Sequence, residues 1–424
     1  MLSFCPYRWR GREDDFMSWK THAARLADRV THQGSRWCAA IADTPRHFVP
    51  SWWTWSDDRW ELSNRPGDER WLETIYQDRT LVTRVGALHA DQAAPGDHPE
   101  GWPTSSSTLP GLLLQMYRHA RIGDGHTILD VGTGSGYGTA LLCNRVGDDR
   151  VTSVDVDPYL TAAAGDRLAK TGLKPRLATV DATGPLPDGF DRIVATVSVR
   201  PIPASWLEAL RVGGRFATTI IDTSLILTGR KTQEGGAVGQ IERDWAMFMR
   251  TRDGEDYPPG LADLMETART ADGDTVDRAR FPILDLLQTW DVRSMLEITV
   301  PGIEHHYSEE PGSRTALMVH EDGSWARAVS THGPPMVHQG GPRRLWDLLD
   351  EVRLLAPARS TSPVRCRCTR DPRGGDSSPA WSVEGHNHLR AACGVHYRTA
   401  GPVTARPSWV LCASPCRSIR CLIA

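Results

Sequence analysis

The stretch TILDVGTGSGYGTALL, residues 127–142, constrains this chain more than any other part of it. A short β-branched run enters a glycine-rich turn, and a helical pattern follows. Strand, glycine turn and helix in that order open a parallel α/β unit whose turn approaches a nucleotide-like ligand. Spacing narrows the ligand. The glycines are Gly132, Gly134, Gly136 and Gly138. A dinucleotide fingerprint counted from Gly132 puts its third glycine on Tyr137, and counted from Gly134 on Thr139. The phosphate loop G-x-x-x-x-G-K-[ST] fails as well, because no lysine follows.

The neighbourhood carries the same signal. Over residues 122–222 the runs TILDV, RVTSVDV, RLATV, FDRIVATV and GRFATTII alternate with helical patterns such as LTAAAGDRLAKTG. Such alternation predicts a doubly wound, Rossmann-like α/β sheet, mostly parallel. SLILTGRK and VGQIERDWAMFMR, joined by a glycine-containing turn, predict an antiparallel hairpin at its edge. Each of the first three strands is followed or ended by an acid: Asp130, Asp155 and Asp181. Any one acid alone reads as a helix cap or a solvated loop charge. The set, with a turn of the form D-x-G-x-G-x-G, resembles motif I and its surroundings in class I S-adenosylmethionine-dependent methyltransferases. On that resemblance Asp130, Gly132, Thr133, Gly134, Ser135 and Gly136 form the cofactor turn, with Asp130 accepting from the ligand ammonium directly or through water. Asp155 and Val156 meet the ribose, and Asp181 and Ala182 meet the adenine.

The rest of the chain divides by pattern. Residues 17–121 read as an N-terminal helical and substrate-loop region, beginning with the helical spacing of Trp19, Ala23, Leu26 and Val30, and Met17 is the more natural start. Residues 122–252 are the cofactor-binding core, and 260–353 read as a small α+β appendage in which SMLEITV, TALMVHE and SWARAVS are strand-like and RRLWDLLDEV is an amphipathic helix. Residues 354–424, rich in Arg, Pro, Ser and Cys without hydrophobic period, read as a disordered tail. A formal net charge of −3 argues against a general nucleic-acid binder, and the apolar runs are too short to span a membrane. Only Cys5, Cys38 and Cys143 precede residue 366, so no disulfide framework is expected in the main body and the reading is cytoplasmic. Neither the adjacent His305 and His306 nor the irregularly spaced terminal cysteines make a metal site.

Four segments narrow the class. TPRHFVP (44–50), YQDRTLVT (76–83), SSSTLPGLLLQM (105–116) and FDRIVATVSVRPIPASWLEALRVGGRF (190–216) occur in an order and spacing similar to the protein-L-isoaspartate O-methyltransferase family. The region after the core resembles the actinobacterial subgroup that serves ATP-grasp and lanthipeptide maturation. The family's hydroxyl residue before the helix falls on Thr108, with Ser107 an alternative and Ser106 beside them; its Gly-Asp-Gly at the adenine becomes Val180-Asp181-Ala182; and HADQAAPGDHPEGWPT (89–104) is an insert that alters substrate recognition. The resemblance implies carboxyl O-methylation of aspartyl or isoaspartyl side chains in a peptide or protein. Ser107 and Thr108 then orient the carboxylate, and Ser106 and Arg200 bind substrate. Two other readings keep the same core: a small-molecule methyltransferase, and a non-catalytic binding protein acting through residues 260–353.

Overall fold

The computed structural model describes residues 19–63, 69–251, 260–355, 364–369 and 380–383. The N-terminal region comprises α1 (Trp19–Val30), α2 (Cys38–Asp43), β1 (Trp52–Ser56), β2 (Arg59–Ser63), α3 (Glu69–Ile75), β3 (Leu81–Val85), β4 (Leu88–His89) and β5 (Pro103–Ser107). After it come α4 (Pro110–His119), β6 (Ile128–Val131), α5 (Tyr137–Val146), β7 (Val151–Asp155), α6 (Pro158–Lys170), β8 (Arg176–Thr179) and β9 (Phe190–Val199). The core closes with α7 (Ala204–Ala209), β10 (Leu210–Ile220), β11 (Leu225–Lys231) and β12 (Ala237–Trp245).

These strands form a sheet in the order β8-β7-β6-β9-β10-β11-β12. Pairing is parallel from β8 to β10 and antiparallel from β10 through β11 to β12, as the hairpin expectation required. Adjacent residues on one strand enter opposite cores, because strand side chains alternate faces. Ile128, Val194, Ala217 and Ile226 pack with α1, α2, α4 and α5, whereas Leu129, Ile193, Phe216 and Leu227 pack with Trp206 of α7. The sheet is therefore covered on both faces, which is why its strands read as continuous apolar runs.

The appendage holds α8 (Ala262–Thr270), β13 (Thr275–Arg278), α9 (Trp290–Thr299), β14 (Glu304–Glu310), β15 (Ser313–Val319), β16 (Trp325–Ser330), β17 (Met336–Gly340) and α10 (Leu345–Leu355). Its antiparallel sheet runs β13-β17-β16-β15-β14. SMLEITV, read above as strand-like, is helical in α9. Ser294, Met295, Leu296, Glu297 and Ile298 are all buried, since this helix is wedged between appendage and core, so no polar face marks a helical period. Two more strands, β18 (Val364–Thr369) and β19 (Ala380–Val383), extend the large sheet beyond β12, within the stretch read above as a disordered tail. The remaining residues of 354–424 after Leu355 lie outside the described ones. Cys38 is disulfide-bonded, against the expectation for the main body.

The Arg46 side chain ties the N-terminal region to the core. It is fully buried, and its guanidinium donates to five carbonyl oxygens: Nη1 to Ile75 and Gln77 at 2.9 and 2.7 Å, and Nη2 to Arg79, Ser107 and Thr108 at 2.6, 3.3 and 3.3 Å. It also lies 5.2 Å from the centre of the Tyr137 ring. Burial lowers its pKa to about 10, so it stays charged at neutral pH. Nearby, Asp78 Oδ1 accepts from the Gly111 N–H at 2.7 Å and the Thr80 hydroxyl from the Leu109 N–H at 3.3 Å, which supplies an N-terminal cap for α4 from a distant segment. Two of the sequence segments singled out above thus fix one loop. Replacing Arg46 with Met should lower the unfolding free energy by about 3–5 kcal/mol, because five buried or partly buried carbonyls lose a charged donor. Arg46→Lys should not restore it, since a compact ammonium cannot span that fork. Urea unfolding of the three proteins checks both expectations.

Candidate active site

Strand order reverses between β6 and β9, and a crevice opens there at the carboxyl ends of the strands. A cavity of about 830 Å³ fills it. Sheet order lays its walls out in sequence. Asp181 and Ala182 follow β8, Asp155 and Val156 end β7, Gly132 and Gly134 follow β6, and Thr196 and Val197 lie in β9. The opposite wall comes from Ser105, Ser106, Thr108 and Leu109, and the far rim from Met247–Thr251.

The glycine turn is shaped by close approach. Gly132 has φ 97°, and a Cβ there would come within 2.9 Å of the Thr196 hydroxyl. Gly134 has φ 50°, and its Cβ would meet the Ser106 carbonyl at 3.3 Å. Both positions therefore need a residue that tolerates the left-handed region and offers no side chain to the cavity. The Gly134 N–H donates to Asp155 Oδ2 at 2.8 Å, and the Asp157 N–H to Asp155 Oδ1 at 3.1 Å. Burial nevertheless raises the Asp155 pKa. Asp181, exposed, accepts at Oδ1 from the Thr183 N–H and hydroxyl at 2.8 and 2.7 Å. The Ala182 carbonyl accepts from Trp206 Nε1 at 2.8 Å, which anchors that wall to the core.

Not every expected residue reaches the cavity. Thr133, Ser135 and Gly136 turn away from it. The Thr133 and Ser153 hydroxyls lie 2.7 Å apart, the Ser135 hydroxyl accepts from the Tyr137 N–H at 3.3 Å, and Gly136 packs against Ala164 of α6. Asp130 lies beneath the turn, 2% exposed, with Oδ2 accepting from the Thr139 and Ser153 hydroxyls at 2.7 and 2.9 Å. Ser107 is buried outside the lining, its hydroxyl without a partner and its carbonyl held by Arg46, whereas Thr108 and Ser106 line the cavity. Arg200 is exposed and outside the lining.

Other residues take places that the motifs did not mark. Asp157 lines the cavity, caps α6 through the Tyr159 and Leu160 N–H groups, and pairs with Arg84 at 3.0 Å. The Asp-Pro at 157–158 is a helix-start signal that the sequence offers. Arg250 lines the cavity and pairs with Asp222. No sequence pattern marks it, because it arrives by way of an irregular segment that runs back along β9: the Ser198 N–H donates to the Met249 carbonyl at 2.8 Å and the Thr251 N–H to the Ser198 carbonyl at 2.9 Å. Among the described residues no group of three or more His, Cys, Asp or Glu is arranged to hold a metal ion. The side chains of the terminal cysteines lie outside the described ones.

A doubly wound sheet with a ligand-sized crevice at its switch point, a glycine turn after the first strand and acids after the next two is the arrangement of a Rossmann-like methyltransferase fold. Residues 100–250 match the family profile described as Protein-L-isoaspartate(D-aspartate) O-methyltransferase. Over this core the chain is similar to the protein-L-isoaspartate O-methyltransferase family. Similar proteins of that name come from Korarchaeum cryptofilum, 30% identical over 164 residues (36% of this chain, 66% of the relative), and Magnetococcus marinus, 34% identical over 155 residues (34% and 66%). That of Dinoroseobacter shibae is 38% identical over 117 residues (27% and 52%). The chain thus spans between about half and two thirds of the length of these relatives. A solved protein-L-isoaspartate O-methyltransferase aligns at 16% identity and a TM-score of 0.43, covering 80% of this chain and 90% of that one. No described helix is long and apolar enough to cross a membrane.

Asp130 yields a pH prediction. Burial pushes its pKa up to about 6 from 3.8. The folded state therefore holds this proton more tightly than the unfolded chain. The resulting stability is fully present below about pH 4 and is lost as pH rises through 6. Asp130→Asn keeps the acceptor for Thr139 and Ser153 without the charge. Relative to the parent its unfolding free energy should rise by up to ~3 kcal/mol between pH 4 and pH 7. Urea unfolding of both proteins across that range, without cofactor, would show parallel curves if the expectation is wrong.

Proposed function

We propose that the chain is an S-adenosylmethionine-dependent carboxyl O-methyltransferase acting on aspartyl or isoaspartyl side chains of a peptide or protein. One observation carries the proposal: the glycine turn with its acids and a cluster of hydroxyls face each other across a single cavity. The residues present fit the cofactor. Gly132 and Gly134 leave backbone approach that a Cβ would fill, Asp155 presents a carboxylate to a diol, and Asp181 presents acceptors beside the apolar Val156, Val180 and Ala182. Asp130, under the turn, supports it by holding β6 to α5 and β7 rather than through the cavity.

When bound, S-adenosylmethionine supplies an activated methyl group, which passes to a carboxylate oxygen while the bonding pair stays on sulfur. The chain then needs to place the acceptor rather than to deprotonate it. A carboxylate with an ordinary pKa is already ionised near neutral pH, so no general base is required. Thr108 and Ser106 donate hydrogen bonds that fix the carboxylate and leave one lone pair free, and Leu109 and Leu112 exclude water from the same wall. Arg46 acts at one remove, because its hold on the Ser107 and Thr108 carbonyls fixes where the Thr108 hydroxyl stands.

Full-length protein offered matched peptides with aspartyl or isoaspartyl linkage should methylate at least one of them, read as methyl gain by mass spectrometry. Binding of S-adenosylhomocysteine without methyl gain on any peptide would refute the proposal. Thr108→Val should lower kcat by roughly tenfold to a hundredfold through lost orientation. It should leave S-adenosylhomocysteine affinity unchanged. Asp155→Ala should do the reverse first, weakening that affinity by about tenfold or more, as titration calorimetry would record.

A further inference from the structure

Two guanidinium groups line the cavity, and they differ in how fully they are engaged. Arg84 is committed to Asp157 at 3.0 Å, and its side chain is 14% exposed. Arg250 pairs with Asp222 through Nη2, and its side chain is 34% exposed. No other partner for the Arg250 guanidinium is found among the described residues, and the residue lines the cavity at its rim.

The placement of Arg250 is fixed by the fold. Its backbone bridges Ser198 at the carboxyl end of β9, beyond Thr196 and Val197 and on the side of the cavity away from Asp155 and Asp181. Asp222, its partner, lies in the turn between β10 and β11 and adopts a left-handed backbone with φ 64°. The appendage grips that turn. The Gly302 N–H donates to the Asp222 carbonyl at 2.7 Å, and Glu297 of α9 accepts from the Ser224 N–H and hydroxyl at 2.8 and 2.9 Å. Arg293 supports Glu297 from the preceding helical turn at 2.7 Å. The appendage thereby holds Asp222, and Asp222 holds one edge of Arg250.

We infer that Arg250 is a specificity-determining residue, which selects acceptors carrying a second carboxylate close to the one that is methylated. The inference rests on the function proposed above. Direct pairing with the reacting carboxylate would draw electron density from the attacking oxygen, so a useful cation at this rim engages its neighbour. An acidic side chain one or two residues from the target offers the planar anion that a guanidinium fork accepts in a bidentate manner. The substrate class is therefore an acidic peptide segment, and the appendage contributes to its choice by fixing the Asp222 turn.

The test uses the full chain with isoaspartyl and aspartyl peptides in pairs, flanked by Asp or by Asn and otherwise identical. The parent protein should show a kcat/KM about tenfold higher for the Asp-flanked member, carried mainly by KM. Arg250→Gln should abolish that preference while leaving the Kd for S-adenosylhomocysteine within twofold. Because this change strands Asp222, the double variant Arg250→Gln/Asp222→Asn is measured beside it, and thermal unfolding reports on both; the double variant must lose the preference too. Arg250→Glu should favour a Lys-flanked peptide over the Asp-flanked one. Equal use of both flanks by the parent would overturn the inference and leave the methyltransferase proposal standing. Weakened S-adenosylhomocysteine binding in both Gln variants would overturn it differently, by assigning Arg250 to the cofactor. Cofactor binding with no methylation of any peptide would overturn the proposed function and this inference together.

Discussion

A buried guanidinium holds this structure's working loop. Among the described residues no carboxylate is hydrogen-bonded to Arg46; its two Nη atoms donate to carbonyl oxygens from residues 75–79 and from Ser107 and Thr108, and its buried Nε has no partner. A charge can be buried only where its donors are met, and a guanidinium meets several carbonyls at once. That requirement draws the segment after α3 and the end of β5 to one point. The start of α4 follows, capped by Asp78 and Thr80, and the hydroxyls of Ser106 and Thr108 are carried to the cavity wall. The N-terminal region is thus the opposite jaw of the site rather than a separate appendage.

The other jaw depends on topology. Parallel strands deliver the turns at their carboxyl ends to one edge of the sheet, and the reversal of strand order separates those turns into a crevice. Asp130 shows how the crevice floor is kept in place. Its carboxylate, pushed up in pKa by burial, takes the Thr139 and Ser153 hydroxyls and so joins three consecutive elements under the glycine turn. The acids at the two following turns are free of that structural duty to different degrees. Asp155 is half engaged by backbone N–H groups, and Asp181 has one oxygen committed to Thr183.

The appendage meets the core through polar and aromatic contacts together. Glu297 is held by Ser224 and Arg293, and the Trp245 and Trp290 rings lie 5.9 Å apart. Ile298 enters the core cluster of the large sheet. One link from the appendage to the cavity runs through the Asp222 turn, which Gly302 and Glu297 hold and which pairs with Arg250. No residue of 260–353 lines the cavity, so the appendage bears on its rim only through neighbouring elements.

The glycine turn, the acids at Asp130, Asp155 and Asp181, the strand–helix alternation and the β11–β12 hairpin were legible in the sequence because they are local, although the hairpin is not the sheet edge it was expected to be, since β18 pairs beyond it. Glycine positions, strand period and acids at strand ends obey short-range sterics and hydrogen bonding, and these operate within a few residues. The family segments around Arg46 and Asp78 were legible only as resemblance; their physical purpose, gripping and capping one loop, appears when segments about 30 and 60 residues apart meet. Three things belonged to the tertiary structure alone. It turned SMLEITV into a helix, since burial on all sides erases the period that sequence reading uses. It removed Ser107 from the cavity and left Thr108 in it, because the side-chain direction at the end of β5 is set by pairing with β3 and by Arg46. And it replaced Arg200 with Arg250 at the rim, since a side chain reaches a cavity by the path of the backbone through space, which long-range packing decides and local sequence does not.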